Sequence, residues 1–328
     1  MKEFTYQRPA HVRDALTLVA DDGARFLGGG TNLVDLMKEG IETPTRLVDV
    51  RRLPLDGIRE TSGGGLTIGA TTTNSDLAAH PEVRRRYPAL SQAVLAGASG
   101  QLRNMATVGG NLLQRTRCGY FADLSQPCNK RSPGSGCAAI TGEHHNHAVL
   151  DWSEHCVATH PSDMTVALAA FDARVHYETL DGTHEIPLSE FYLPVGVSPQ
   201  RETALPHGAL ITAITLPAGA ASPRSRYRKV RERASYAFAN VSVAAALDVN
   251  EGVVQGTRIA LGGVASRPWR AHAAEAALRD APATPDRFRA AADAELTVAR
   301  PLRDNAYKVT LARNLVVAVL TELAHRAE

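Results

Sequence analysis

The chain has 328 residues, 44% of them hydrophobic, and a formal net charge of +2. This length and composition predict two or three globular domains with ample apolar core. The small net charge gives no general reason to expect nucleic acid or an anionic membrane as a partner, and no apolar run approaches the roughly 18 residues of a membrane span. Residues 1–6 lack an apolar signal core, so we expect no export signal in this chain, although a partner with such a signal could carry it.

The first predicted elements are one helix and two strands. Apolar residues between Val12 and Ala20 recur at the spacing of an amphipathic helix, and Gly23 is a suitable stop for it. Short runs at 25–27 and 46–50 have the pattern of strands. Residues 1–60 are therefore expected to form a small αβ subdomain.

A run of three glycines, Gly28–Gly30, directly follows the first strand, and an apolar, helix-like segment begins at residue 33. Glycines let the backbone approach a ligand closely, and free N–H groups at a helix start attract anions. The run is neither a Walker loop nor a Gly-x-Gly-x-x-Gly fingerprint. An anion site and an ordinary turn are both compatible with it.

Residues 61–217 are expected to form a second unit. The side chains of 71–76 fit either helix capping or ligand contact. Residues 99–112 are rich in small and amide residues, which is typical of a backbone that passes close to a ligand. The other predicted elements are helices from Leu77, at 88–98 and at 164–171 (capped by Ser162 or Asp163), strands at 66–70, 173–178 and 210–216, and a loop-rich stretch at 181–208.

The C-terminal region, 224–328, is predicted to be a separate α+β domain after a linker at 217–223. Its strands come before its helices, an order typical of α+β domains. The predicted strands are at 226–231, 242–249 and 257–262, and the predicted helices at 270–280, 285–298 and 305–324.

The four cysteines all lie in the polar, irregular segment 113–159. Their wide spacing is compatible with an iron–sulfur cluster, which four thiolates can bind, and flanking basic residues would stabilise its negative charge. Zinc is an alternative, because five histidines lie in the same region, although the tight cysteine pairs of zinc sites are absent. Two disulfides or inert thiols are further alternatives. The residues are Cys118, Cys128, Cys137 and Cys156, the basic residues Arg117, Lys130 and Arg131, and the histidines His144, His145, His147, His155 and His160.

Four segments together resemble the FAD-binding (medium) subunits of the xanthine dehydrogenase and molybdenum hydroxylase family. They are Leu-Gly-Gly-Gly-Thr-Asn-Leu at 27–33, Gly-Ala-Thr-Thr at 69–72, Arg-Asn-Met-Ala-Thr-Val-Gly-Gly-Asn-Leu at 103–112 and Pro-Ser-Asp at 161–163. The resemblance spans nearly the whole chain. It implies an α+β protein with a two-subdomain FAD-binding fold of the vanillyl-alcohol-oxidase/PCMH type and a C-terminal α+β domain.

Within this family, segment 113–159 resembles an insertion found in the flavin subunits of periplasmic molybdenum aldehyde oxidoreductases. That insertion binds a [4Fe–4S] cluster through four cysteines. The resemblance therefore implies a [4Fe–4S] cluster on Cys118, Cys128, Cys137 and Cys156, rather than zinc.

The resemblance also implies which residues contact FAD. The glycine run and its neighbours would surround the pyrophosphate, and a second set would line the flavin and ribityl chain. Asp163 would accept hydrogen bonds from sugar or ribityl hydroxyls. Two apolar residues would touch an edge of the cofactor. The pyrophosphate set is Phe26, Leu27, Gly28, Gly29, Gly30, Thr31, Asn32 and Leu33; the second set is Thr72, Ser99, Thr107, Gly110 and Asn111; the apolar residues are Leu210 and Ile211.

Lys229 matches a family lysine near the isoalloxazine ring, where a cation would stabilise reduced flavin; a solvated strand lysine is the alternative. Many relatives carry an acidic pair shortly afterwards, whereas this chain has Ser235 and Tyr236. Tyr236 could cover the ring and change access to it. NAD is therefore not carried over as the electron acceptor.

The family resemblance implies an electron-transfer subunit of an oxidoreductase complex. Its partners would be a large subunit with the molybdenum cofactor, which oxidises an aldehyde or heterocycle, and a small subunit with two [2Fe–2S] clusters. A stand-alone flavin reductase of the same fold and a zinc-stabilised binding module are the alternatives. The expected compartment is the periplasm, reached through a partner's export signal, or the cytoplasm.

Overall fold

The computed structural model describes residues 1–219 and 224–325. The N-terminal unit is a parallel sheet of three strands in the order β1-β3-β2. Helix α1 packs Leu16 and Val19 against this sheet, as its apolar spacing predicts. The elements are β1 (Thr5–Gln7), α1 (Val12–Val19), β2 (Ala24–Leu27), α2 (Leu33–Lys38) and β3 (Arg46–Asp49).

The second unit is an antiparallel sheet of five strands in the order β4-β5-β8-β6-β7, with helices packed on it. Its strands are β4 (Ile58–Glu60), β5 (Leu66–Gly69), β6 (Arg174–Thr179), β7 (Gly182–Pro187) and β8 (Leu210–Leu216). Its helices are α3 (Asn74–Ala79), α4 (Pro81–Arg86), α5 (Pro88–Ala96), α6 (Gly100–Arg103), α7 (Val108–Leu112), α8 (Gly119–Ala122), α9 (Asp163–Ala170) and α10 (Leu188–Phe191).

The second unit differs from the sequence prediction at three places. The stretch 181–208, expected to be loop-rich, contains β7 and α10. The first four residues of β7 are exposed, so this edge strand lacks the apolar alternation that marks a half-buried strand. Residues 99–112 form two single helical turns, α6 and α7, and β4 pairs in this sheet although it precedes residue 61.

The C-terminal unit is an antiparallel sheet in the order β12-β11-β10-β9 with three helices. One face of β10 packs Val243 and Ala245 against helix α13, and the other packs Ala244 and Ala246 against the second unit. The elements are β9 (Ser225–Val230), β10 (Val241–Asn250), β11 (Val253–Gly262), β12 (Trp269–Arg270), α11 (His272–Leu278), α12 (Pro285–Leu296) and α13 (Tyr307–His325). Of the predicted linker, 220–223 lie outside the described residues.

The cysteine segment is held by hydrogen bonds rather than by regular structure. Apart from α8 and a 3₁₀ turn (Ala138–Ile140), it is irregular, as predicted. The Arg131 guanidinium donates to the carbonyls of Tyr120 and Phe121. The backbone N–H groups of Val149 and Leu150 both donate to the Val264 carbonyl at 2.9 Å, which anchors this part of the segment on the C-terminal unit.

None of the helices within residues 1–219 and 224–325 combines the length and apolar character needed to cross a lipid bilayer.

Candidate functional site

A cavity of about 1000 Å³ lies where the three units and the cysteine segment meet. This is the upper end of the ~300–1,000 Å³ range of small-molecule sites, and it suits a large cofactor. Of the residues expected to contact FAD, six line it, together with one of the expected cluster ligands. They are Thr31, Asn32, Gly110, Asn111, Asp163 and Lys229, and the ligand is Cys118.

The glycine run lies directly against the second glycine-rich segment. A Cβ atom on Gly29 would stand 1.9 Å from the Met105 carbonyl oxygen, and one on Gly28 would stand 2.7 Å from Thr107 Oγ1. Gly30 has a φ of 74°, which favours glycine. The glycines therefore let two backbone segments touch, and this contact places Thr31 and Asn32 at the cavity.

Asn32 retains a free donor there. Its Oδ1 accepts a hydrogen bond from the Arg115 N–H at 2.8 Å, whereas its Nδ2 is buried and has no hydrogen-bond partner within the described residues. Buried polar groups are rarely left unpaired. An anionic or hydroxyl-bearing ligand in the cavity would satisfy this donor.

The second set of expected FAD residues divides in two. Thr107 Oγ1 accepts from the Gly110 N–H at 3.2 Å and Ser99 Oγ from the Leu102 N–H at 3.3 Å, so both hydroxyls cap short helices. Thr72 Oγ1 donates to the Gly57 carbonyl. Only Gly110 and Asn111 of this set line the cavity.

Asp163 and Lys229 form a buried ion pair at the cavity wall. Lys229 Nζ is 2.7 Å from Asp163 Oδ2, and the two side chains are only 4% and 7% exposed. The Tyr227 hydroxyl donates to Asp163 Oδ1 at 2.5 Å. The alternative of a solvated Lys229 is wrong. Removing one partner of such a pair leaves an uncompensated buried charge, which typically costs about 3–5 kcal/mol.

Tyr227 remains a hydrogen-bond donor over the whole physiological range. Burial, and then the neighbouring Asp163 carboxylate, raise the pKa of Tyr227 well above its ordinary value. The arrangement therefore presents a fixed carboxylate and a fixed ammonium group beside the cavity.

The apolar residues expected at the cofactor do not line the cavity. Leu210 and Ile211 are buried on β8 in two different cores. Phe26 and Leu27 are partly buried on β2, and Leu33 begins α2. Leu210 and Phe26 pack in the core beneath the sheet that presents the glycine run.

Two buried polar residues of the cavity wall were not among the expected FAD contacts: Ser242, which the sequence did not indicate, and Asn74, which it indicated only as part of the 71–76 run. Asn74 Oδ1 and Ser242 Oγ have no hydrogen-bond partner within the described residues. Asn74 lies in the 71–76 run, in which Thr73 caps α3 by accepting from the Asp76 N–H at 3.1 Å. The capping role therefore falls on Thr73 and the position at the cavity wall on its neighbour Asn74, a difference that residue spacing alone does not reveal.

Two aromatic residues at the cavity are largely exposed. Tyr236 is 57% and Phe238 49% exposed, and both line the cavity. The Arg233 guanidinium lies 5.6 Å from the Tyr236 ring centroid, and the Arg117 guanidinium 5.2 Å from that of Phe238. Tyr236 adopts a positive φ of 51°.

The four cysteines are free thiols near one another. Cys128 and Cys156 are buried, and Cys118 packs against both. Cys128 and Cys137 are paired across an antiparallel bridge. Burial raises the pKa of Cys118 and Cys156 to about 11, and neighbouring thiols add to this effect. All four cysteines are free, so the alternative of two disulfides is not what the structure shows.

The cysteine geometry also bears on the zinc alternative. Within residues 1–219 and 224–325, no three His, Cys, Asp or Glu side chains converge closely enough to hold a single metal ion. A cluster with several irons spreads its four thiolates over a larger volume than one tetrahedral zinc does. The described geometry therefore gives no support to the zinc alternative.

Polar groups surround the cysteines. Cys118 Sγ lies 3.1 Å from His147 Nε2, and Cys156 Sγ accepts from the Ala158 N–H at 3.4 Å. Lys130 Nζ is buried beside Glu202 Oε1 at 2.7 Å, so its charge is paired. Burial, and then the charge of Lys308, lower the pKa of His147 to about 4.

Two family descriptions together account for nearly the whole chain. Residues 2–219 match the family described as the FAD binding domain in molybdopterin dehydrogenase, and residues 225–323 match the CO dehydrogenase flavoprotein C-terminal domain. The chain belongs to this family, and the α+β fold expected from the resemblance is confirmed.

Two relatives from this family align with nearly the whole chain. The chain is 53% identical to the aldehyde oxidoreductase FAD-binding subunit PaoB of Escherichia coli K12, over all of both chains. It is 28% identical to the carbon monoxide dehydrogenase medium chain of Hydrogenophaga pseudoflava, over 97% of this chain and 96% of the relative.

Solved structures give the same fold. A carbon monoxide dehydrogenase chain from Hydrogenophaga pseudoflava superposes with a TM-score of 0.76 at 26% identity, covering 99% of this chain and 98% of that chain. Quinoline 2-oxidoreductase from Pseudomonas putida 86 has the same TM-score at 23% identity, covering 100% and 99%, and supports the fold alone.

Proposed function

We propose that this chain is the FAD- and [4Fe–4S]-binding electron-transfer subunit of a molybdenum-containing aldehyde oxidoreductase. Full-length similarity to an aldehyde oxidoreductase subunit supports the substrate class. The observation that carries the cluster is the grouping of four free cysteines in one segment, with Cys118 on the cavity wall.

The chain's own residues have distinct parts in holding FAD. The glycine run holds its segment against residues 103–112, and Thr31 and Asn32, which this contact places at the cavity, would supply donors for the pyrophosphate. Asn74 and Asn111 supply further polar groups for hydroxyls of the cofactor. Asp163 holds Lys229 in place, so that a buried cation faces the cavity. The bound flavin and cluster supply one-electron and two-electron chemistry, and the protein positions them.

The proposed cluster lies close to the proposed flavin site. Cys118 and His147 belong both to the cavity wall and to the cysteine segment. Cys118, Cys128, Cys137 and Cys156 would be the four ligands. This placement extends an electron relay through the subunit.

The proposed partners are a molybdenum-cofactor large subunit and a [2Fe–2S] small subunit, with this chain as the medium subunit. Two relatives, from a carbon monoxide dehydrogenase and a glyceraldehyde dehydrogenase, are named medium chains, which supports this composition. We further propose that the complex, rather than this chain, determines the compartment, periplasm or cytoplasm. Co-purification with chains encoded nearby, followed by cell fractionation, tests both proposals.

Replacing Cys128 by serine tests the cluster. We expect the Cys128→Ser chain to lose iron and acid-labile sulfide while retaining FAD, because Cys128 belongs to the cysteine segment and does not line the cavity. The matched control is Ser125→Ala, an exposed position in the same segment, which should retain both. Full iron content in Cys128→Ser would show that the ligand assignment is wrong.

A further inference from the structure

The hydrogen bond that the described residues show for the His147 side chain goes to a cysteine sulfur. Its Nε2 lies 3.1 Å from Cys118 Sγ, the residue is 8% exposed, and its Nδ1 is buried without a hydrogen-bond partner within the described residues. A thiolate can only accept hydrogen bonds. If Cys118 is a thiolate ligand, the imidazole therefore carries its proton on Nε2 and donates it to sulfur.

The backbone of His147 is fixed from the C-terminal unit. Asn305 Nδ2 donates to the carbonyls of His147 and Ala148 at 3.3 and 3.1 Å. Lys308 Nζ donates to the Asn146 carbonyl at 2.9 Å. The imidazole is thus a preorganised donor, held by helix α13 and the turn before it.

Within the part of the chain that the structure describes, no other side chain forms a hydrogen bond to a cysteine sulfur. Among residues 1–219 and 224–325, the other hydrogen bonds to these cysteine sulfurs come from backbone groups: Ala158 N–H on Cys156, and Tyr120 and Phe121 on Cys118. His147 also lines the cavity proposed for FAD, on the side where an electron would pass between the two groups.

We propose that His147 is a positioning residue that raises the reduction potential of the [4Fe–4S] cluster through an Nε2–H hydrogen bond to the Cys118 thiolate. This inference rests on the proposed function, which supplies the cluster. Adding one electron increases the negative charge of the cluster and its thiolates, and a donor at sulfur stabilises that charge. Loss of the donor therefore makes the cluster harder to reduce.

The experiment compares full-length wild type, His147→Phe and His147→Gln by reductive titration with dithionite and mediators, followed by electron paramagnetic resonance. His147→Phe keeps a ring without a donor, and His147→Gln keeps an N–H donor. With equal iron content, we expect a lower midpoint potential in His147→Phe and a value nearer wild type in His147→Gln. His155→Gln, at an exposed position of the same segment, is the control and should match wild type.

Each other outcome is decisive. An unchanged or raised potential in iron-loaded His147→Phe overturns the inference. If only His147→Phe loses iron, and His147→Gln keeps the wild-type iron content and potential, the donor role is supported. If both variants lose iron, the imidazole only fills space and the inference is overturned. Absence of iron from the wild-type chain refutes the proposed function instead.

Discussion

At the scale of single residues, the cavity depends on close backbone contact. Gly29 lies so near the Met105 carbonyl that no side chain fits between them. The obstacle is backbone rather than the end of a flexible side chain, so it does not move aside cheaply. The contact holds the glycine run and residues 103–112, two segments of the family resemblance, at a fixed separation beside the cavity.

We predict that Gly29→Ala weakens FAD binding and lowers the melting temperature. The added methyl group forces the two segments apart, and such overpacking typically costs about 1–3 kcal/mol. Flavin absorbance per purified chain and thermal unfolding measure the two effects. Gly63→Ala is the control, because its Cβ would meet nothing within 4 Å. Equal flavin content in both variants would contradict the prediction.

The residue types in the sequence indicated which segments meet at the cavity better than they indicated the role of each side chain. Gly110, Asn111 and Asp163 reach the cavity as expected. Thr107 and Ser99 instead cap helices, because a hydroxyl before a helical turn suits both tasks. Nothing local to Lys229 predicts its pairing with Asp163, since the two lie on different elements that meet only in the folded chain.

At the scale of elements, helix α13 connects the C-terminal unit to the cavity wall. Lys308 is fully buried and donates to the carbonyls of Asn146 and Gly263, both of which line the cavity. Burial lowers the pKa of Lys308 from 10.5 to about 7. The neutral amine can still donate both hydrogen bonds.

Lys308 should make stability depend on pH. Between pH 7 and 10.5 the unfolded lysine binds a proton that the folded lysine has lost. The free energy of unfolding therefore rises with pH in this window, by at most about 1.4 kcal/mol per pH unit from this group. Urea unfolding across the window should show a steeper rise in wild type than in Lys308→Met.

The exposed lysine Lys38 provides the control for this pH dependence. Lys38→Met should keep the wild-type slope, because its side chain is solvated. Parallel pH profiles for wild type and Lys308→Met would contradict the role assigned to Lys308.

Elements with a buried apolar pattern were predictable, and polar edges were not. Helix α1 and strand β8 follow from their apolar spacing, and each differs from the prediction by no more than one residue at either end. Strand β7 is recognised only through its pairing with β6, because its outer residues are polar and exposed. Strand β11 begins at Val253, four residues before the predicted start, because the exposed Gln255 and Gly256 interrupt the apolar pattern after two valines.

At the scale of the whole molecule, the site belongs to no single unit. Asn32 comes from the first, Asn111 from the second and Lys229 from the third, so local sequence could not predict how they meet. We propose the predicted three-part division 1–60, 61–217 and 224–328, with 113–159 inserted, as the functional domain organisation, except that β4 (Ile58–Glu60) belongs to the second part because it pairs in that sheet. In the proposed function, the insertion would add the cluster beside a cavity that residues of all three units line.

The most direct test of this account is flavin, iron and sulfide analysis of the purified full-length chain. Within one polypeptide we predict about one FAD together with about four iron atoms and about four acid-labile sulfides, the content of a single [4Fe–4S] cluster. A chain that binds FAD stoichiometrically but contains zinc, or no metal after anaerobic reconstitution with iron and sulfide, would contradict the account.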